Sequence, residues 1–190
     1  MKTSKPGTTY SFAGLLLAIL VLATASASAK LLDNFNDNTK TAWADTAAGG
    51  SVTEAGSVFT IVSSPAAGNL ASSKKTSDSF TNASGHTIEI RAYVNSVSPD
   101  GNGHAVIGWV PSGALNSSGY SVSVSTTNVT IYKAGSSLYA SNLVTSIQST
   151  NLLVVMRMSG AGSAVSVRAS IYKKGKGNNL LIFEQTVNDA

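Results

Sequence analysis

The sequence predicts an all-β protein: two antiparallel sheets packed as a sandwich of jelly-roll type, preceded by a signal peptide. Three observations carry this expectation. Apolar and polar residues alternate with period two along most of the chain after residue 30. The alternating runs are short and are punctuated by clusters of Gly, Pro, Asn and Ser. Helical spacing of apolar residues is absent throughout.

The first twenty-nine residues read as a leader. Lys2 and Lys5 form a positive start, Phe12 to Ala23 is apolar and uncharged, and Ala27-Ser28-Ala29 supplies the small residues of a cleavage site. The apolar run is shorter than the about 20 residues of a membrane span, so residues 1–29 are expected to be removed and no span to remain. The mature domain is then 30–190, placed outside the cell or on its surface. Losing Lys2 and Lys5 lowers the net charge from +4 to +2.

Along the mature chain the candidate strands are Leu31 to Asn36, Gly50 to Glu54, Val58 to Ser63, Leu70 to Lys74 and His86 to Val94. They continue through His104 to Val110, Tyr120 to Val124, Val129 to Lys133, Ser137 to Ala140, Asn151 to Met158, Val165 to Tyr172 and Leu180 to Val187. In His86 to Val94, Ile88, Ile90, Ala92 and Val94 take one face, while Glu89, Arg91 and Tyr93 take the other. Val165 to Tyr172 splits in the same way, with Arg168 and Tyr172 on its polar side, and Tyr120, Val122 and Val124 alternate with serines. Asn151 to Met158 is apolar on both faces except at Arg157, which suits a central strand covered on both sides. Ser64 to Gly68, Ser98 to Gly103, Pro111 to Gly113 and Lys174 to Asn179 carry turn chemistry, with Gly and Asn accepting positive φ and Pro fixing φ at its own preset negative value.

Composition removes several classes of function. With no cysteine there is no disulfide framework, thiolate metal site or cysteine nucleophile. Two histidines, His86 and His104, are too few for a histidine-based metal cluster. Only 12% of residues are charged, and no run of Lys or Arg interleaves with aromatics, so no nucleic-acid footprint is seen. No nucleophile elbow and no phosphate-cradling glycine loop is present.

Three stretches carry a family resemblance: Leu32-Asp33-Asn34-Phe35-Asn36-Asp37; Gly119 to Val124 with Val129-Thr130-Ile131-Tyr132-Lys133; and the closing Leu181-Ile182-Phe183-Glu184-Gln185-Thr186-Val187. Together they resemble concanavalin A-like, laminin-G-like domains of secreted bacterial proteins, over most of residues 31 to 190. The resemblance implies a curved two-sheet jelly roll, often carbohydrate-binding and sometimes glycan-cleaving. Such domains usually continue past the closing strand into a last one that pairs near the N-terminal strand, whereas this chain stops at Asp189-Ala190. The expectation is either an exposed edge, open to pairing with another chain, or a shorter topology.

The candidate chemistry is sparse. Glycosidases of this fold class set carboxylates at alternate positions of one strand, and here no two acids lie at i, i+2. A pair from different strands, Glu89 with Glu184, is the remaining arrangement, and glycosidase chemistry needs two carboxylates within about 5 to 10 Å. No cofactor is expected. Asp33 to Asn38 is rich in oxygen ligands, which suggests either a structural calcium that also recruits Asp189 or simple turn-capping by Asp33 and Asp37. Arg91 and Arg168, on polar faces, either pair across strands with Glu89 or Glu184 or form a cationic strip for an anionic glycan. Tyr93 and Tyr172 share those faces and can serve as platforms for sugar rings. The loop containing Asn95, Asp100, Asn102 and His104 joins amides, a carboxylate and an imidazole in a flexible setting of the kind that carries function. Trp109, alternating with Ala105 and Ile107, reads as core, and Trp43 as a weaker platform.

The expected ligand-binding set is therefore Arg91, Tyr93, Asn95, Asp100, Asn102, His104, Arg168 and Tyr172, and the expected partner is a polysaccharide or glycan. The leading function is a secreted, non-catalytic carbohydrate-binding module. A structural or adhesive surface protein that self-associates through a strand edge is the alternative, and a glycoside hydrolase the third.

Overall fold

The strands form where the alternation lies. The computed structural model describes residues 36–37, 39–40, 42–46, 51–56, 58–62, 72–76, 85–94, 104–111, 118–144, 147 and 150–189. The leader, the Leu31 to Phe35 stretch and the loop residues Asn95, Asp100 and Asn102 lie outside the described residues. Among those described there is no helix, and hence none long and apolar enough to cross a membrane. The chain divides into two compact units, Met1–Ser77 and Asp78–Ala190.

In the first unit, β1 (Trp43–Thr46) pairs antiparallel with β4 (Ser72–Lys75), and β2 (Ser51–Ala55) with β3 (Val58–Val62). β1 was not expected from the sequence, because Trp-Ala-Asp-Thr has no apolar alternation. It is secured by polar contacts instead. Lys40 pairs with the Asp45 carboxylate and donates to the Val52 carbonyl at 2.7 Å, and Ser73 Oγ donates to Asp45 Oδ1 at 2.6 Å.

The second unit holds two four-stranded antiparallel sheets. One runs in the order β12 (Asn179–Asp189), β11 (Ala164–Lys174), β10 (Leu152–Ala161), β5 (Thr87–Val94). The other runs β6 (His104–Trp109), β7 (Tyr120–Ser125), β8 (Asn128–Lys133), β9 (Ser136–Asn142). Every strand expected after residue 50 is present, with ends shifted by a few residues at most. The inward faces fuse into one core. Ile88, Val154, Met156, Met158, Val167 and Ile171 from the first sheet meet Tyr120, Val122, Val124, Val129 and Ile131 from the second. This packing defines a β-sandwich.

Tight turns set the register. β8 and β9 are joined through Ala134 and Gly135, at φ of 47° and 80°, the doubly positive turn that matches strand twist. Gly119 is required by close approach, since a Cβ there would lie 2.0 Å from the Trp109 carbonyl oxygen and its φ is +81°. The end of β12 is tied to the opposite sheet. Asp189 Oδ2 accepts the Tyr120 hydroxyl at 2.5 Å and lies 2.6 Å from Lys133 Nζ.

Two expectations about exposure change. Every residue of β7 is buried, including Ser121, Ser123 and Ser125, which alternation had assigned to solvent. β7 is flanked by β6 and β8, and its hydroxyls find partners there: Ser123 Oγ lies 3.2 Å from His104 Nδ1, and Ser125 Oγ accepts the Asn128 N–H at 2.9 Å. β10 is covered fully on one face only. On the other, Leu153 is buried and Val155 half-buried, while Arg157 is exposed.

Candidate functional site

The face of sheet β12-β11-β10-β5 turned away from the core is built by strand parity. Register places Glu89 opposite Arg157, Arg157 opposite Arg168, and Arg168 opposite Thr186, so one rank across the sheet is mostly charged. The next rank reads Arg91, Val155, Ser170, Glu184, and the third reads Tyr93, Leu153, Tyr172, Leu181. Ranks on one face recur every two residues, about 7 Å apart, so the charged and aromatic ends are separated by about 14 Å. Glu89, Arg91, Leu153, Val155, Arg157 and Arg168, with Ser170, Tyr172 and Asn179, line a depression of ≈ 300 Å³. Its floor is Leu153, Val155 and the buried Ser170, and Arg91 and Tyr93 stand exposed on β5.

The charges are paired: Arg168 meets Glu184 across strands as expected, whereas Arg91 pairs with Glu89 on its own strand. Glu89 is shared: Oε1 accepts from Arg91 Nε at 2.6 Å, and Oε2 from Arg157 Nε at 2.9 Å, with the Nη2 groups at 2.6 and 2.8 Å. Partial burial opposes ionisation of Glu89, but the hydrogen bond and charge of Arg91, followed by those of Arg157, hold its carboxyl below the usual range. Arg168 pairs with Glu184, which also accepts from Ser170 Oγ at 3.0 Å. The Arg168 and Ser170 bonds lower the Glu184 carboxyl, and Glu184 raises the Arg168 guanidinium in turn. Neither carboxyl has the raised pKa of a general acid. Glu89 and Glu184 stand on β5 and β12, with the two central strands between them.

At the aromatic end, Lys174 Nζ lies 5.0 Å from the centre of the Tyr93 ring, which is 65% exposed.

Four of the expected site residues, Arg91, Tyr93, Arg168 and Tyr172, share this face. His104 does not join them. It begins β6 in the other sheet, where its Nδ1 lies 3.2 Å from Ser123 Oγ. Asn95, Asp100 and Asn102 fall outside the described residues. Trp109 packs against the core as expected. Trp43 is engaged within its own unit, with Lys75 Nζ 5.3 Å from its ring centre and Phe59 at 5.7 Å. Sequence reasoning left Arg157 and Lys174 out of the site. The signal for Arg157 was its parity with Leu153 and Val155 as the lone charge in an apolar strand.

The calcium-candidate segment is only partly described. Asp37 Oδ1 accepts the Thr39 backbone N–H at 2.9 Å, a turn-capping contact that, with the Thr39 side chain, lowers its carboxyl. Among the described residues no three His, Asp or Glu side chains gather, and Asp189 is engaged by Lys133 and Tyr120.

No family model, curated protein or solved structure matches this chain.

Proposed function

We propose that this chain is a secreted, non-catalytic carbohydrate-binding domain whose ligand lies across the outer face of sheet β12-β11-β10-β5. One observation carries the reading: Arg91, Arg168 and Tyr172 gather at one shallow depression with Tyr93 on the same face. Sugars are recognised by that combination, because a ring's apolar C–H face stacks on an aromatic while its hydroxyls meet planar, multi-donor groups. An open face accepts a polymer from either side, as a polysaccharide reader requires. The same reading takes the sandwich to be a jelly roll of concanavalin A-like type and residues 1–29 to be its export signal.

The test is isothermal titration of the full chain against a panel of soluble polysaccharides, repeated with Tyr93→Ala and Tyr172→Ala. Saturable binding to at least one polymer, weakened by either substitution, is expected. Failure of every polymer to bind, or binding indifferent to both substitutions, would refute the assignment.

A second reading, a structural or adhesive surface protein, is favoured by β12. Among the described residues this eleven-residue strand ends its sheet, and it exposes Leu180 and Leu181, at 65% and 45%. It predicts dimers by light scattering that Leu180→Lys disperses.

A further inference from the structure

The charged rank contains an arrangement that stability alone does not favour. Arg157 and Arg168 are direct cross-strand partners on the two central strands of the sheet. Their Cα atoms are therefore about 5 Å apart. Like charges directly opposite each other destabilise a sheet. Each guanidinium is compensated from its outer side, Arg157 by Glu89 on β5 and Arg168 by Glu184 on β12. The carboxylates thus sit on the flanking strands while two cations occupy the middle.

Depth adds to this. The side chains of Arg91, Arg157 and Arg168 are 65%, 52% and 44% exposed, against 23% and 35% for Glu89 and Glu184. A ligand approaching from outside meets guanidinium before carboxylate. Arg91 and Arg157 spend their Nε–Nη2 edges on Glu89, which turns the Nη1 side of each planar group away from it. Exposed ion pairs of this kind add little to stability, so folding alone gives little reason for three arginines here.

We infer that the face binds an acidic saccharide, one bearing carboxylate or sulfate, with the anionic group seated between Arg157 and Arg168 and a sugar ring toward Tyr172. This deepens the carbohydrate-binding reading and rests on it. A guanidinium fork matches carboxylate and sulfate oxygens in plane and can bind them with two parallel bonds. The anion also relieves the Arg157–Arg168 repulsion, so its binding is assisted by a strain the unliganded face carries. Lys174 at the end of β11, over the Tyr93 ring, extends the positive field toward the aromatic rank. Glu89 and Glu184 act as internal competitors that hold the arginines in place.

Two charge substitutions of opposite sign test this in the full chain, read by affinity for dextran, dextran sulfate and polygalacturonate. Arg157→Gln should weaken binding of the acidic polymers about tenfold, the loss of one charge-assisted contact. Glu89→Gln should strengthen it severalfold by releasing Arg91 and Arg157. Binding by the unsubstituted chain should weaken as salt shortens the Debye length below about 10 Å. Thermal unfolding of each variant verifies folding, and the salt titration needs no variant at all. Equal, salt-insensitive binding of dextran and dextran sulfate, lost in Tyr172→Ala, would overturn the acidic preference and leave carbohydrate binding standing. Binding of inorganic polyphosphate as tight as that of the acidic polysaccharides would overturn it as well, since a polymer without sugar rings makes no use of the aromatic rank. Absence of binding to dextran sulfate and polygalacturonate would overturn the acidic preference, and failure of the whole polysaccharide panel as well would overturn carbohydrate binding.

Discussion

Replacing Tyr120 by Phe should destabilise the sandwich by about 1.5 to 3 kcal/mol. The ring is buried and remains so in Phe, so the change removes only the hydroxyl. That hydroxyl donates to the Asp189 carboxylate at 2.5 Å, a charge-assisted bond in a half-dry setting where Asp189 is 10% exposed. Hydrogen bonds to charged groups contribute about that much net. For a unit of this size each kcal/mol moves the midpoint by about 4 °C, so a fall of roughly 6 to 12 °C is expected. The pH dependence sharpens the test. Lys133 and then Tyr120 hold the Asp189 carboxyl below its ordinary value, so this stabilisation is complete above about pH 4 and fades as pH falls through the lowered folded value. The gap between parent and variant should close on acidification. At the other end, burial and then the hydrogen bond to Asp189 and its charge push the Tyr120 hydroxyl upward. An unfolded tyrosine ionises near pH 10 while the folded one is held neutral, so the parent loses stability above pH 10 and Tyr120→Phe escapes that loss. Calorimetry from pH 3 to pH 11 reads both limbs. A midpoint shift under 2 °C, or a shift that does not vary with pH, would refute the clasp.

Further outcomes follow from the core and the turns. Met156→Ala, which empties a fully buried position in the centre of β10, should cost about 2 to 5 kcal/mol in urea denaturation, and a loss under 1 kcal/mol would place the core elsewhere. Gly119→Ala should be much more damaging than Gly162→Ala. Both have positive φ, but only Gly119 has a backbone oxygen 2.0 Å from the added carbon, so about 1 kcal/mol is expected at Gly162 and loss of soluble protein or several kcal/mol at Gly119. In ultraviolet titration of the folded chain, Tyr120 should ionise above the ordinary tyrosine range, and the shift should shrink in Asp189→Asn while the part due to burial remains.

The all-β sandwich and nearly all its strands were legible because alternation with period two is imposed by a half-buried sheet and survives in sequence. Ile88 and Val165 onward mark the core face, and the same parity puts Arg91, Tyr93, Arg168 and Tyr172 on the opposite face. What parity cannot give is which strands become neighbours. β5 reaches β10 only after the whole second sheet has intervened, so the Glu89–Arg157 contact and the Arg157–Arg168 juxtaposition depend on topology. His104 failed to join the site for the same reason, since β6 lies in the other sheet. β1 was missed because its support comes from Lys40 and Ser73 and not from buried apolar residues. The β7 serines were misjudged because alternation reports polarity, while burial of a short side chain is decided by its neighbours.

Thermal unfolding of the full chain with and without polysaccharide tests the central claim most directly. A polymer that binds only the folded state, present at 100 times its dissociation constant, should add about 2.7 kcal/mol of stability. The account predicts such a rise with at least one polysaccharide, and its loss in a Tyr93→Ala, Tyr172→Ala double variant that still unfolds cooperatively. A cooperative transition that no polysaccharide moves would contradict it.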